Sequence, residues 1–135
     1  DIIDSFSNFV KTKSAGYLSH NQAISFMKSS HLLVNFNYQG TNKPDMISGK
    51  LIEYLATGSP IINISHTNSE SESLISLSED SVTASENDID KIVGYISKSY
   101  NTWLKGDFKE KIPNNIDEYS RLNLTKQLVN ILREI

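Results

Sequence analysis

At 135 residues, with 38% hydrophobic and 21% charged side chains, the chain has the size of one domain and enough apolar content for one core, which excludes wholesale disorder. The balance of 13 Lys plus Arg against 16 Asp plus Glu gives a net charge of −3 with the basic residues scattered, so the concentrated basic stripe of a nucleic-acid reader is missing. With no cysteine, disulfide frameworks, thiolate metal sites and Cys nucleophiles are excluded. No apolar run approaches the roughly 18 residues of a spanning helix, so a soluble, cytoplasmic chain is expected, and its start at Asp1 without an initiator Met reads as a piece cut from something longer.

Along the chain, short apolar runs alternate with helix-period segments, the pattern of strand-helix units on a parallel sheet. Ser19 stands at an N-cap position before a helix that places Ala23, Ile24 and Met27 on one face. Residues 32–36 form a strand candidate. A polar loop over 37–47 follows, carrying Gly40, Pro44 and Asp45, and long ordered loops after strands are where binding residues collect. Ser48 then caps a helix with Leu51, Ile52 and Leu55 as its apolar stripe, stopped by Gly58 and Pro60. Ile61–Ile64 is a strand apolar almost throughout, as in the centre of a sheet covered on both faces. Residues 65–86, rich in Ser and Glu, read as exposed surface with a short helix over 72–77 and a short strand at Val82–Ala84. Asn87 or Asp88 caps a long helix whose Ile89, Ile92, Val93, Ile96 and Tyr100 recur at helical spacing. After Gly106 and Pro113, a last helix from about Ile116 aligns Leu124, Leu128, Ile131, Leu132 and Ile135 and is expected to pack on the domain. The fold class that follows is α/β, a Rossmann-like parallel sheet with helices on both faces.

The stretch Ser48-Gly49-Lys50-Leu51-Ile52-Glu53-Tyr54-Leu55-Ala56-Thr57-Gly58-Ser59-Pro60-Ile61-Ile62 carries the chemistry. A helix amino terminus offers unpaired N–H groups and partial positive charge, a natural seat for phosphate. Gly49 lets a phosphate approach that backbone closely, and Lys50 adds a mobile cation. Glu53 lies one turn further on, within reach of the ribose of a diphosphate seated at the helix start, and carboxylate-to-hydroxyl pairing is how many α/β folds hold a nucleoside.

Glu53-Tyr54-Leu55-Ala56-Thr57-Gly58-Ser59-Pro60-Ile61-Ile62, with Lys50-Leu51 ahead of it, resembles the donor-site helix of retaining glycosyltransferases of the two-Rossmann-domain (GT-B) type. The likeness extends upstream to Gly16-Tyr17-Leu18-Ser19-His20 and to residues 27–36, and covers roughly residues 14–105. In that pattern an acid stands eight places before the Glu; here it is Asp45, where the family often has Glu. The resemblance implies that Asp45 faces the sugar or phosphate as the catalytic acid, that Glu53 holds the ribose, and that Ser48, Gly49 and Lys50 bind the donor phosphate. It implies that residues 1–135 are a fragment of the donor-binding domain, the acceptor-binding domain lying outside this chain, so that the fragment alone would not transfer. Its partners would be a nucleotide-diphosphate sugar and a glycan or lipid-linked acceptor, as in bacterial polysaccharide or lipopolysaccharide biosynthesis. No cofactor or obligatory metal is implied, and peripheral membrane association of the full-length enzyme is compatible. Contacts to the base are expected from the loops near His20 and Asn37.

Each remaining candidate has a plainer reading beside it. His66 follows the central strand at its carboxyl end, where such sheets bind ligands, and is a candidate donor contact. Asp88-Ile89-Asp90 has the acid spacing of metal-dependent transferases of another fold, but capping explains it. His20, His31 and His66 lack metal-ligand spacing. Tyr54 and Trp103 read as packing residues. Asn63-Ile64-Ser65 and Asn123-Leu124-Thr125 match the glycosylation pattern by accident of composition. Two other functions stay open on sequence: a non-catalytic flavodoxin-like interaction module, and a nucleotide-sugar epimerase of the same fold.

Overall fold

The computed structural model describes residues 10–37 and 47–134. It is an α/β unit: α1 (His20–Lys28), β1 (Leu33–Phe36), α2 (Gly49–Thr57), β2 (Ile61–Ile64), α3 (Glu70–Ile75), β3 (Val82–Ala84), α4 (Ile89–Leu104), a 3-10 turn (Ile116–Tyr119) and α5 (Arg121–Arg133). The strands form one parallel sheet in the order β1-β2-β3, a partial Rossmann-like fold. Register runs Leu33 to Ile61 and Phe36 to Ile64 on one side of β2, and Ile62 to Val82 and Ile64 to Ala84 on the other. The near-continuous apolar run of β2 thus takes the central place, where both edges are hydrogen-bonded.

Local signals set the helix ends. Ser19 accepts from the Gln22 amide while the Gln22 side chain accepts from the Ser19 amide, a reciprocal capping box. Ser48 accepts from Leu51 N–H at 3.3 Å, and Gly58, at φ 75°, closes α2 in the left-handed conformation that favours glycine. Asp88 Oδ1 accepts from Lys91 N–H at 3.2 Å, so the Asp88-Ile89-Asp90 stretch caps α4.

In-register pairing puts Leu33, Asn35, Ile61, Asn63 and Thr83 on one face of the sheet. Leu33 and Ile61 there form the core with Leu51 and Leu55 of α2, Leu74 and Ile75 of α3, and Ile116 of the 3-10 turn. Each such fully buried aliphatic side chain contributes about 1.5–3 kcal/mol. Met27 and Tyr54 pack against the same cluster, and burial raises the Tyr54 phenol above its ordinary range. The other face carries Ile62, buried, and Val34 and Phe36, exposed, with α4 lying along β3.

Two sequence expectations are corrected here. Residues 65–86 are not simply exposed surface: Ser65, Ser69, Ser71, Leu74, Ile75, Thr83 and Ala84 are buried, and the short helix starts at Glu70 because Ser69 caps it. The last helix is not packed on the domain. Leu124, Leu128, Ile131 and Leu132 of α5 are all exposed, its contacts fall chiefly on the 3-10 turn, and Ile135 lies outside the described residues. The stripe of α4 is also turned outward: Ile92 and Tyr95 face inward, while Ile89, Val93, Ile96 and Tyr100 are exposed. Trp103, 42% exposed, makes tilted ring contacts with His31 and Tyr100.

A buried polar chain crosses the core face. Asn35 Nδ2 donates to Asn63 Oδ1 at 2.7 Å, and Asn63 Nδ2 donates to Ser71 Oγ at 3.1 Å and Thr83 Oγ1 at 3.3 Å. Ser71, Ser65 and Ser69 continue it by hydroxyl-to-hydroxyl bonds. One amide therefore ties three strands and α3 together, and Asn63, fully buried, is closed to glycosylation in the folded chain.

On the amino-end side of the sheet, Tyr95 donates its hydroxyl to the Asp80 carbonyl. Burial, helped by the Asp80 charge and partly offset by a hydrogen bond with Ser99, pushes its phenol up to about 12 from 10.0. The unfolded phenol ionises first, so the folded chain holds more protons between those values and stability falls as pH rises through that window. Denaturant unfolding on either side of pH 10 is expected to show this decline in the parent and a shallower one in Tyr95→Phe. Equal slopes would contradict the assignment.

Candidate functional site

In a parallel sheet with short turns, each helix that follows a strand begins at the carboxyl end of the sheet, and ligands bind there. The start of α2 is so placed, and it carries the residues singled out from sequence. Ser48 is the N-cap, Gly49 and Lys50 are the first two helical residues, and Glu53 follows one turn later. The first N–H groups of a helix have no partner in its own ladder. Ser48 Oγ occupies one of them, on Leu51, and the chain offers those of Gly49 and Lys50 at an exposed surface.

Gly49 is not required by the fold. Its φ is not in the left-handed region, and a Cβ built there meets nothing within 4 Å. Open space in front of an N-terminal glycine is what a phosphate bound by backbone amides needs.

Sequence reasoning did not foresee the neighbour of Glu53. Helix α1 packs beside α2, and His20, its first residue, places Nδ1 3.9 Å from Glu53 Oε1. The Glu53 side chain is 36% exposed and that of His20 70%, so both remain open to a ligand, and they attract as charges when the imidazole is protonated. Two helix starts, one capped by Ser19 and one by Ser48, thus lie side by side with a carboxylate and an imidazole between them. Lys50 adds a cation at the exposed rim.

A second cluster gathers at the same end of the sheet. Asn37 follows β1, Ser65 and His66 follow β2, and Ser85, Glu86 and Asn87 follow β3; with Ile64 they line a cavity of about 240 Å³. Of these, His66 and Asn37 were marked from sequence and Ser65, Ser85, Glu86 and Asn87 were not. Their common signal was available: each stands within three residues of the end of a strand. Ser65 is further held by the buried serine chain, which fixes the cavity wall from below.

Asp45 lies outside the described residues, so the pairing of Asp45 with Glu53 has no geometry to report. No group of three His, Asp or Glu side chains suited to a metal ion occurs among the described residues, and no helix among them is long and apolar enough to cross a membrane. A larger cleft of about 360 Å³, lined by His31, Asp80, Tyr95, Lys98, Phe108 and Lys109 among others, sits at the opposite, amino end of the strands and is remote from the α2 start. We assign the site to the carboxyl end, because the exposed amide donors of Gly49 and Lys50 and the Glu53 carboxylate occur there. No family model, curated protein or solved structure matches this chain.

Proposed function

We propose that this chain is the donor-binding part of a retaining glycosyltransferase and holds a nucleotide-diphosphate sugar at the carboxyl end of its sheet. The observation that carries the reading is the α2 start: an open Gly49 backbone, Lys50 beside it, and the Glu53 carboxylate one turn along, facing the start of α1. The diphosphate would sit on the Gly49 and Lys50 amides, Glu53 would accept from the ribose hydroxyls, and His66 would approach from the cavity at the ends of β1, β2 and β3. Asp45, eight residues before Glu53, is proposed to face the sugar.

In the reaction, the bond from the sugar anomeric carbon to the diphosphate breaks and a bond to an acceptor hydroxyl forms on the same face. The hydroxyl proton leaves with the diphosphate or a base. Amide donors and Lys50 aimed at the departing diphosphate stabilise charge as it develops. The acceptor, a glycan or a lipid-linked sugar in polysaccharide synthesis, would bind a second domain, as the resemblance implies, and the partner set of this chain alone is then the nucleotide donor. A metal is not part of the proposal.

Substitutions separate this reading from a structural role for the same residues. Glu53→Ala removes charge-assisted bonds worth about 1.5–3 kcal/mol, so nucleoside-diphosphate affinity is expected to drop by roughly ten- to a hundred-fold, with the melting temperature unchanged. Gly49→Ala is expected to leave stability equal or slightly higher, because alanine is the better helix former, while its methyl group weakens binding. Calorimetric titration of both variants alongside the parent checks the pair. Parent-like affinity in both would remove α2 from the site.

A further inference from the structure

We infer that the chain forms a twofold dimer in which α5 of each copy seats in the groove between α4 and β1 of the other. The groove has Val34 and Phe36 of β1 as its floor and Ile89, Val93, Ile96, Tyr100 and Trp103 of α4 as its wall, every one at least 42% exposed. At 100° per residue these five α4 positions fall on one side of the helix, beside the side that meets the sheet. Leu32 and His31 join Ile96, Tyr100 and Trp103 around a cavity of about 280 Å³ that closes the amino end of the groove.

The matching surface is α5. Its thirteen residues contain no buried side chain, and Leu124, Leu128, Ile131 and Leu132 form a stripe of the kind that lies in apolar grooves. The α4 wall from Ile89 to Trp103 is about 21 Å long and α5 about 20 Å, at 1.5 Å per residue. Among the described residues, α5 of the same chain lies away from this groove. Its α5 hangs from the 3-10 turn, whose Ile116 is part of the core on the opposite face of the sheet.

Area and charge point to a second copy. At about 80 Å² for each exposed large apolar side chain, roughly half of what an aromatic ring buries, groove and stripe together offer on the order of 1,000 Å² per copy. Buried together, the two surfaces reach the roughly 800 Å² per partner of a stable interface. A self-complementary arrangement uses the groove and the α5 of each copy once, so the same contact occurs twice in the dimer, as twofold symmetry requires. Helix α5 carries Arg121, Lys126 and Arg133 and no acid, whereas Glu86, Asp88 and Asp90 are exposed at the start of α4. Lys91 and Lys98 project from the side of α4 away from its apolar stripe, so the encounter is steered by opposite signs.

Sedimentation equilibrium of the full chain, with Ile96→Glu and Leu128→Glu, tests the assignment. All the altered side chains are exposed in the single copy, so each variant is expected to keep the parent's circular dichroism. The parent should be a dimer at micromolar concentration and each variant a monomer, with at least a hundred-fold weaker self-association. An equimolar mixture of the two variants retains one intact α5-to-groove contact and should recover part of the dimer. Isotope-filtered NMR on a mixture of labelled and unlabelled parent should show Leu128 methyl contacts to Tyr100 or Trp103 between chains. A monomeric parent, a dimer that survives both substitutions, or the same contacts arising only within a chain would each overturn the proposal. The test is independent of nucleotide binding.

Discussion

Replacing Gly58 by alanine is expected to lower stability by about 2–4 kcal/mol, the sum of left-handed strain and a forced contact. Gly58 stands at φ 75°, and a Cβ there would lie 2.9 Å from the Lys111 backbone nitrogen and 3.0 Å from that of Ile112. Backbone cannot swing aside as a side-chain tip does, because the Lys111 N–H donates to the Gly58 carbonyl at 2.9 Å. That bond holds the segment after α4 against the turn from α2 to β2. Gly106→Ala is the control. It shares the conformation, at φ 74°, but its Cβ would meet nothing within 4 Å, so only the conformational cost of about 1–2 kcal/mol remains. Thermal unfolding of both should show the Gly58 variant shifted by at least twice the Gly106 variant. Equal shifts would mean that the contact with residues 111 and 112 adds nothing.

Asn63→Ala is expected to cost a similar 2–4 kcal/mol. Its amide makes three hydrogen bonds in a fully buried position. Truncation strands the Asn35 amide and leaves Ser71 and Thr83 short of a donor, and stranded buried polar groups cost more than the bonds contributed. A double-mutant cycle with Asn35→Ala isolates the link between β1 and β2. The double variant should lose about 1 kcal/mol less than the two single losses added, because the stranded partner has gone too. Strict additivity in urea unfolding would show that the two side chains do not depend on one another.

What the sequence revealed, and what it hid, follows from the range of the interactions. The limits of α2 were legible because Ser48 and Gly58 act within one turn of themselves, and β2 because Ile61, Ile62 and Ile64 state their burial outright. The direction in which α4 presents its stripe was not. Helical spacing gathers Ile89, Val93 and Ile96 on one side but does not say whether protein or solvent lies opposite. The same holds for α5. Serine-rich composition misled in a different way: Ser65, Ser69 and Ser71 look like surface singly, yet satisfy one another's hydroxyls when brought together in the core.

The candidate site divides along the same line. The α2 portion is contiguous, so Ser48, Gly49, Lys50 and Glu53 could be read as a unit, with their spacing already implying one turn of helix. The approach of His20 to Glu53 needed the packing of α1 on α2. The cavity lined by Asn37, Ser65, His66, Ser85, Glu86 and Asn87 is assembled from three strand ends, and no local pattern joins them.

The most direct test of the donor-site reading is an amide NMR titration of this chain with UDP, GDP and ADP separately, with Glu53→Ala as the control. The account predicts saturable shifts with at least one nucleotide, concentrated at residues 48–53, His20 and the strand-end residues 65–66 and 85–87, and lost in the variant. Absence of shifts with all three, or shifts centred on the cleft at Lys98 and Lys109 and unchanged in the variant, would contradict it.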